Sequence, residues 1–210
     1  MKEMKNSLIR IVDDEETVRE SVSLFLEMAG MRVVTYASAQ SFLESDNFSV
    51  PGCIILDVRM PTMSGIELQD ILKQKHCDLP IVFLSGHGDI EMAVEAVHRG
   101  AVDFLVKPPK PEKLLELVEK TVIKHQQQRR QQAEKEALFR IWEQLTPSEQ
   151  QVAVLLSKGL SNAEAAEVLD VTERTVKAHR AMVYSKLSVS NAVETLEFLI
   201  SIGIMHGEAS

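Results

Sequence analysis

The amino-acid sequence predicts two folds in series: an α/β unit built on a parallel sheet with helices on both faces, then an all-α unit of four helices. Three observations carry that prediction. Short apolar runs alternate five times with helix-spaced segments over residues 8–122, as parallel strands joined by helical crossovers do. Residues 125–137 then turn almost wholly polar, with no Gly or Pro, as suits a solvent-exposed helical connector. Beyond them stand two capping-box signatures, Thr146-Pro147-Ser148-Glu149 and Ser161-Asn162-Ala163-Glu164, each marking a helix start.

Taken in order, Leu8-Ile9-Arg10-Ile11-Val12 reads as a buried strand followed at once by Asp13-Asp14-Glu15-Glu16. Val18, Val22, Phe25, Leu26 and Ala29 fall at helical spacing, and Gly30 is a natural stop. Arg32-Val33-Val34-Thr35-Tyr36 is a second strand, and Ser38 caps a short helix through Phe42 and Leu43. Cys53–Asp57 is the third strand, too uniformly apolar to have a solvent face. Ser64-Gly65 opens a helix through Leu68 and Leu72, and Ile81–Leu84 is the fourth strand. A helix through Met92, Ala93, Ala96 and Val97 stops at Gly100, and Phe104-Leu105-Val106 is the fifth strand. The next helix begins near Pro111, a residue suited to a first turn, and runs on into the polar connector. In the last third, a tight turn at Asp170-Val171-Thr172 separates a short helix from the basic helix Glu173–Leu187, and Asn191 opens the final one. Two helices, a short turn and a basic second helix make a helix-turn-helix pattern.

The bulk numbers are those of a globular protein: 210 residues, 45% hydrophobic and 26% charged. No apolar run approaches a membrane span, and Met1–Asn6 shows no signal-peptide core. Cys53 and Cys77 form no motif, so the expected home is a reduced cytoplasm. The six His show no metal-ligand spacing and read as surface or structural residues. The net charge of −8 argues against general affinity for nucleic acid, but its distribution matters more. Arg174, Lys177, Arg180 and Lys186 all lie in residues 172–187, where Glu173 is the only acid.

Four of the five strands end in a polar residue that chemistry can use: Asp13 and Asp14 after the first, Asp57 after the third, Ser85 after the fourth, Lys107 after the fifth. A parallel sheet puts all of them along one edge, where such sheets hold ligands. Three carboxylates there repel one another unless a cation neutralises them. An all-oxygen cluster with open positions suits Mg²⁺ or Mn²⁺. With Lys107 as a fixed positive charge and Ser85 as a hydroxyl donor, the set can stabilise a transferring phosphoryl group, and a carboxylate among them can be the nucleophile.

On these residues the chain resembles a known family. Residues 6–124, with Val12-Asp13-Asp14, Leu56-Asp57-Val58-Arg59-Met60-Pro61, Ser85-Gly86 and Lys107-Pro108, resemble the receiver domain of bacterial two-component response regulators. Residues 144–205, with Leu145-Thr146-Pro147-Ser148-Glu149-Gln150 and Thr175-Val176-Lys177-Ala178-His179-Arg180, resemble the LuxR/NarL-type helix-turn-helix. The run Gly86-His87-Gly88-Asp89-Ile90 and the stretch Gly100–Phe104 are most similar to the FixJ-type branch. The resemblance implies a CheY/flavodoxin-like receiver with strand order 2-1-3-4-5 over residues 1–124, a helical linker over 125–143 and a DNA-binding domain over 144–210.

It also implies roles. Asp57 is the phospho-acceptor, fed by a sensor histidine kinase. Asp14, Asp57 and the backbone carbonyl of Arg59 ligate the metal, and Asp13 acts mainly through a metal-bound water. Lys107 pairs with the phosphoryl group, and its bond to Pro108 is typically cis. Ser85 follows a phosphoryl oxygen while Phe104 turns inward; having no hydroxyl, Phe104 would switch by packing alone. Met92, Val97, His98 and Val102 mark the face on which related receivers pair, so a homodimer is expected on phosphorylation. In the basic helix, Lys177, Ala178 and Ala181 face base edges of double-stranded promoter DNA, and Thr175, Arg180 and Lys186 face phosphates. Val193, Leu196, Glu197 and Ile200 of the final helix are the expected contact between DNA-bound output domains. RNA polymerase is the further partner, activation the expected sign, and self-phosphorylation with slow self-dephosphorylation at Asp57 the expected chemistry.

Few basic residues mean few phosphate contacts per protomer, so useful affinity should need a dimer on two half-sites. Two other readings compete. A receiver used only as a docking surface would have no use for the acidic set and Lys107. A phosphatase acting on outside phosphoesters would need a substrate pocket, and nothing in the sequence forms one.

Overall fold

The strands are β1 (Leu8–Val12), β2 (Arg32–Tyr36), β3 (Gly52–Asp57), β4 (Ile81–Ser85) and β5 (Asp103–Val106). In the computed structural model they form one parallel sheet in the order β2-β1-β3-β4-β5. The structure describes residues 6–86, 94, 95 and 97–206. The chain divides into two compact units, Met1–Arg129 and Arg130–Ser210, described here one at a time.

Strand alternation sorts the first unit's core into two layers. Ile54 and Leu56 of β3, with Val12, Ile81 and Phe83, face Phe42, Leu68 and Leu72. Cys53 and Ile55, with Ile9, Ile11 and Leu84, face Val22, Leu26, Leu114, Val118 and Val122. All six residues of β3 are buried, as a central parallel strand requires. The covering helices are α1 (Glu16–Met28), α2 (Ala39–Ser45), α3 (Gly65–Gln74) and α4 (Pro111–Trp142). Ser38 and Ser64 each cap their helix by accepting the N–H of the residue three further on. Gly30, at φ +85°, takes the left-handed turn that ends α1. Of the expected helix before Gly100, Val94, Glu95, Val97 and His98 are helical, while Met92, Ala93 and Ala96 lie outside the described residues.

Two guanidinium groups, one fully buried and one partly exposed, fix the loop between α2 and β3. Arg10 of β1 is fully buried, and its Nε donates to Asp46 Oδ1 at 2.8 Å. The same guanidinium donates to the carbonyls of Leu8, Asn47 and Val50 at 2.9–3.0 Å. Asp46 completes its set by accepting from the Tyr36 hydroxyl at 2.6 Å, and burial with that acceptor pushes the Tyr36 phenol well above its ordinary range. From the other side, Arg129 of α4 donates to the carbonyls of Phe48 and Ser49. Arg129 also pairs with Asp78, whose carboxyl it holds down at about 2. His125 is likewise buried; its Nδ1 accepts the Gly52 N–H at 3.2 Å, and burial lowers its pKa. The polar composition of 125–137 predicts exposure, and residues 130–137 are exposed, but His125 and Arg129 belong to the first unit's interior and rim. Composition averages over a helix face, whereas these two contacts depend on residues far away in sequence.

The second unit is α-helical: α5 (Pro147–Ser157), α6 (Asn162–Leu169), α7 (Glu173–Leu187) and α8 (Ala192–Ser201) follow the end of α4. Thr146 and Ser161 form the two expected capping boxes with Glu149 and Glu164. Trp142, Leu145, Ala153, Val183, Leu187, Phe198 and Leu199 make one core cluster. Val152, Leu156, Ala165, Ala166 and Val176 make a second, which seats α7 against α5 and α6. No helix among the described residues is long and apolar enough to cross a membrane.

Candidate functional site

The register of the sheet assembles the first site. Val12 pairs with Leu56, and Asp57 pairs with Leu84, so Asp13, Asp14, Asp57 and Ser85 emerge at one edge. Carboxylate oxygens of Asp13, Asp14 and Asp57 all lie within 4.8 Å of one another. Asp13 and Asp57 are buried and Asp14 is exposed. Lys107, whose bond to Pro108 is cis, reaches in from the end of β5. Its Nζ lies 2.8 Å from Asp13 Oδ2, 3.0 Å from Glu15 Oε1 and 3.2 Å from Asp57 Oδ2.

Burial, with the Asp13 charge adding to it, raises the Asp57 carboxyl to about 6 against the pull of Lys107 and the Arg59 backbone N–H. Asp13 is raised too, chiefly by burial. Burial acts to lower Lys107, but the carboxylates of Asp13, Glu15 and Asp57 outweigh it and the ammonium is held charged. Asp13 Oδ2 is buried with the ammonium at ion-pair distance, yet no donor among the described residues is aligned on it. A compact set of carboxylates with such an oxygen fits a hard divalent cation that takes oxygen ligands. The Ser85 hydroxyl at the same edge is fully buried and has no hydrogen-bond partner among the described residues.

Two supports were not legible in the sequence. Arg19 of α1 donates to the backbone carbonyls of Asp13 and Asp14 at 2.7 and 2.9 Å, which fixes the acidic turn. Gly65 lets α3 start against β3: a Cβ there would lie 2.1 Å from the Asp57 carbonyl oxygen and 3.0 Å from the Phe83 ring. Gly65→Ala is therefore expected to lower stability by about 1–3 kcal/mol through overpacking and to displace Asp57. Thermal unfolding checks the first effect. An amide NMR map centred on residues 57–65 checks the second.

Phe104 is half-buried and packs on the cluster around Phe83. Of the expected pairing face, Val97 also packs against that cluster, His98 is exposed and Val102 is 43% exposed. Met92 lies outside the described residues.

The second site is α7. Val176, Val183 and Leu187 are buried beneath it, and Arg174, Lys177, Ala178, Ala181, Met182 and Ser185 are exposed on its opposite face. Thr172 caps the helix and its hydroxyl meets that of Thr175 at 2.8 Å. Arg180 donates to Asn162 Oδ1 at 3.3 Å and lies 5.1 Å from the centroid of the Tyr184 ring. Lys186 donates to Glu149 Oε2 at 2.7 Å and to the Gln144 carbonyl at 3.3 Å. The three base-facing candidates thus stand free on the surface, whereas the three phosphate-facing ones are already bonded within the unit. Arg174 shares the exposed face and was not among the candidates.

A sheet edge with three carboxylates and a lysine, followed by a helix-turn-helix unit, defines a receiver coupled to a DNA-binding output. Residues 9–119 match the family model described as response regulator receiver domain, and residues 143–199 match the bacterial regulatory proteins of the luxR family. The chain belongs to the two-component response regulators with a LuxR-type DNA-binding domain, which are transcription regulators. It is 42% identical over 185 residues to response regulator protein TodT of Pseudomonas putida, covering 88% of this chain and 82% of that one. It is 33% identical over 198 residues to transcriptional regulatory protein FixJ of Bradyrhizobium diazoefficiens, covering 94% of this chain and 97% of that one. The solved structure of response regulator StyR superposes with a TM-score of 0.84 at 38% identity, covering 92% of this chain and 98% of that one.

Proposed function

We propose that this regulator takes a phosphoryl group onto Asp57 from a sensor histidine kinase, dimerises, and binds promoter DNA through α7 to activate transcription in the cytoplasm. The observation that carries the reading is a buried Asp57 whose carboxylate lies 3.2 Å from Lys107 and within 4.8 Å of Asp13 and Asp14 oxygens. An Asp57 oxygen attacks phosphorus as the P–N bond to the kinase's imidazole breaks, leaving an acyl phosphate on Asp57 and the electron pair on the imidazole. Asp14, Asp57 and the Arg59 carbonyl would hold Mg²⁺ or Mn²⁺, Asp13 would act through a water, and the bound ion would neutralise the carboxylates and the phosphoryl oxygens. Lys107 orients the group from the other side. The buried, unpartnered Ser85 hydroxyl then donates to a phosphoryl oxygen, and Phe104 moves into the space behind it.

That movement reshapes the surface bearing Val97, His98 and Val102, which supports pairing there; Met92, also expected on the pairing face, lies outside the described residues. Pairing raises DNA affinity through effective concentration on two half-sites. Lys177, Ala178 and Ala181 reach base edges, the alanines suiting thymine methyls. Thr175, Arg180 and Lys186 meet phosphates, for which Arg180 and Lys186 exchange Asn162 and Glu149. Val193, 65% exposed, and Ile200, 37% exposed, support α8 as the contact between output domains, with Leu196 and Glu197 beside them. RNA polymerase is the onward partner of the DNA-bound dimer. The receiver is taken as residues 1–124, the linker as 125–143 and the output domain as 144–210. A receiver fragment carried to Arg129 keeps the contacts of His125 and Arg129.

The test selects genomic DNA fragments on the full chain with and without phosphorylation. Tighter, sequence-selective binding by the phosphorylated chain is expected, and equal binding by both forms overturns the coupling. On a selected site, Lys177→Ala is expected to relax discrimination at the base it reads, costing about 1–3 kcal/mol there. A fluorescence-anisotropy series over single-base variants measures this.

A further inference from the structure

Glu15 stands one residue beyond the acidic pair and is the N-cap of α1, yet its side chain makes no capping hydrogen bond. An N-cap side chain ordinarily accepts an N–H of its own first turn, and Glu does this poorly. Here the carboxylate turns to the site instead and accepts a hydrogen bond from Lys107 Nζ at 3.0 Å. Lys107 has three protons to give, and three carboxylates surround it at 2.8, 3.0 and 3.2 Å. Asp13 and Asp57 are buried, whereas the Glu15 side chain is 58% exposed. Glu15 is therefore the partner that Lys107 releases at least cost, since water replaces the lost contact.

We propose that Glu15 is a positioning residue: it holds Lys107 at the rim of the site and makes it partly unavailable to an incoming phosphoryl group until the donor displaces the pair. The proposal rests on Asp57 as phospho-acceptor. An anionic donor approaching Asp57 competes with the Glu15 carboxylate for the same ammonium proton, so Glu15 selects against weakly held small donors. A donor fixed by its own protein contacts feels that barrier less.

The test uses the full chain, as wild type, Glu15→Gln and Glu15→Asp, with acetyl phosphate and Mg²⁺. In the reaction the Asp57 oxygen–phosphorus bond forms as the phosphorus–oxygen bond to acetate breaks and acetate leaves. Glutamine removes the charge; aspartate keeps the charge but is one methylene too short to hold Lys107. Both variants are expected to label about fivefold faster than wild type, the scale of one partly exposed ion pair. In the metal-free chain, the ammonium ¹H–¹⁵N resonance of Lys107 is expected to broaden and shift in both. Faster labelling in Glu15→Gln alone makes Glu15 a mere rim charge and overturns the proposal, as do wild-type rates in both variants. If wild type itself takes no label, the Asp57 reading fails. The Lys107 resonance then still decides whether Glu15 holds the lysine, and an unchanged signal in both variants sinks the idea.

Discussion

Asp57→Asn is expected to take no label from acetyl phosphate under conditions that label the wild-type chain, and its DNA affinity is expected not to respond to the donor. Asn offers an uncharged amide where the reaction needs a carboxylate nucleophile, and neither Asp13 nor Asp14 replaces it. Asp13 is turned toward Lys107 and the Glu15 N–H, and Asp14 is on the exposed side. Radiolabel or mass shift on the intact chain measures the loss, and wild-type labelling of the variant would show that another residue is the acceptor.

The same substitution has a second, opposite-looking consequence. Burial and the Asp13 charge raise the Asp57 carboxyl from 3.8 to about 6. The native state therefore binds that proton more tightly than the unfolded chain does. The resulting stability is fully present below about 3.8 and is lost as pH rises through about 6. At neutral pH the wild type carries a buried charge that Asn lacks, so Asp57→Asn is expected to be more stable by on the order of 1–3 kcal/mol. The gain should shrink as pH falls from 6 toward 3.8, and Mg²⁺ should reduce it at neutral pH by stabilising the wild type more. Thermal unfolding at several pH values, with and without Mg²⁺, reads both trends. A variant less stable than wild type at pH 7.5 would mean that the carboxylates are not under mutual strain.

Asp46→Ala is expected to destabilise the first unit by about 3–5 kcal/mol, the cost of leaving one member of a buried pair without its partner. The side chains of Arg10 and Asp46 are 0% and 1% exposed, so water cannot take the lost carboxylate's place. Tyr36 loses its acceptor as well. Replacing both members with Leu should recover most of the loss, because apolar residues of similar volume can substitute for a buried pair. Hydrogen exchange of the β1 and β3 amides is the suitable probe. The sole tryptophan, Trp142, belongs to the second unit's core and does not report on this one. A loss under 1 kcal/mol in Asp46→Ala would show that Arg10 finds other partners.

The parts of the molecule legible in the sequence are those with local signals. The five strands, the caps at Ser38, Ser64, Thr146 and Ser161, and the set Asp13, Asp14, Asp57, Ser85 and Lys107 follow from short apolar runs, helix-start residues and strand ends. Arg10 was readable only as one residue of a buried strand, because its partner Asp46 lies 36 positions away. His125 and Arg129 hide in a polar run for the same reason, since Gly52 and Asp78 lie 73 and 51 positions from them. Glu15 sits in plain view within Asp13-Asp14-Glu15-Glu16, but nothing in four consecutive acids tells which one reaches the lysine. On α7 the pattern marks a basic helix, yet periodicity cannot show that Glu149 and Asn162 occupy Lys186 and Arg180.

The α2–β3 connection has a fixed length. Asn47, Phe48, Ser49 and Val50 give up four consecutive carbonyls, the outer two to Arg10 and the inner two to Arg129. Surface loops ordinarily accept extra residues at little expense. Here one inserted residue would put every carbonyl out of step with two guanidinium groups anchored in different elements. A tag, linker or domain fusion is therefore poorly placed between 47 and 50, although the segment lies at the surface.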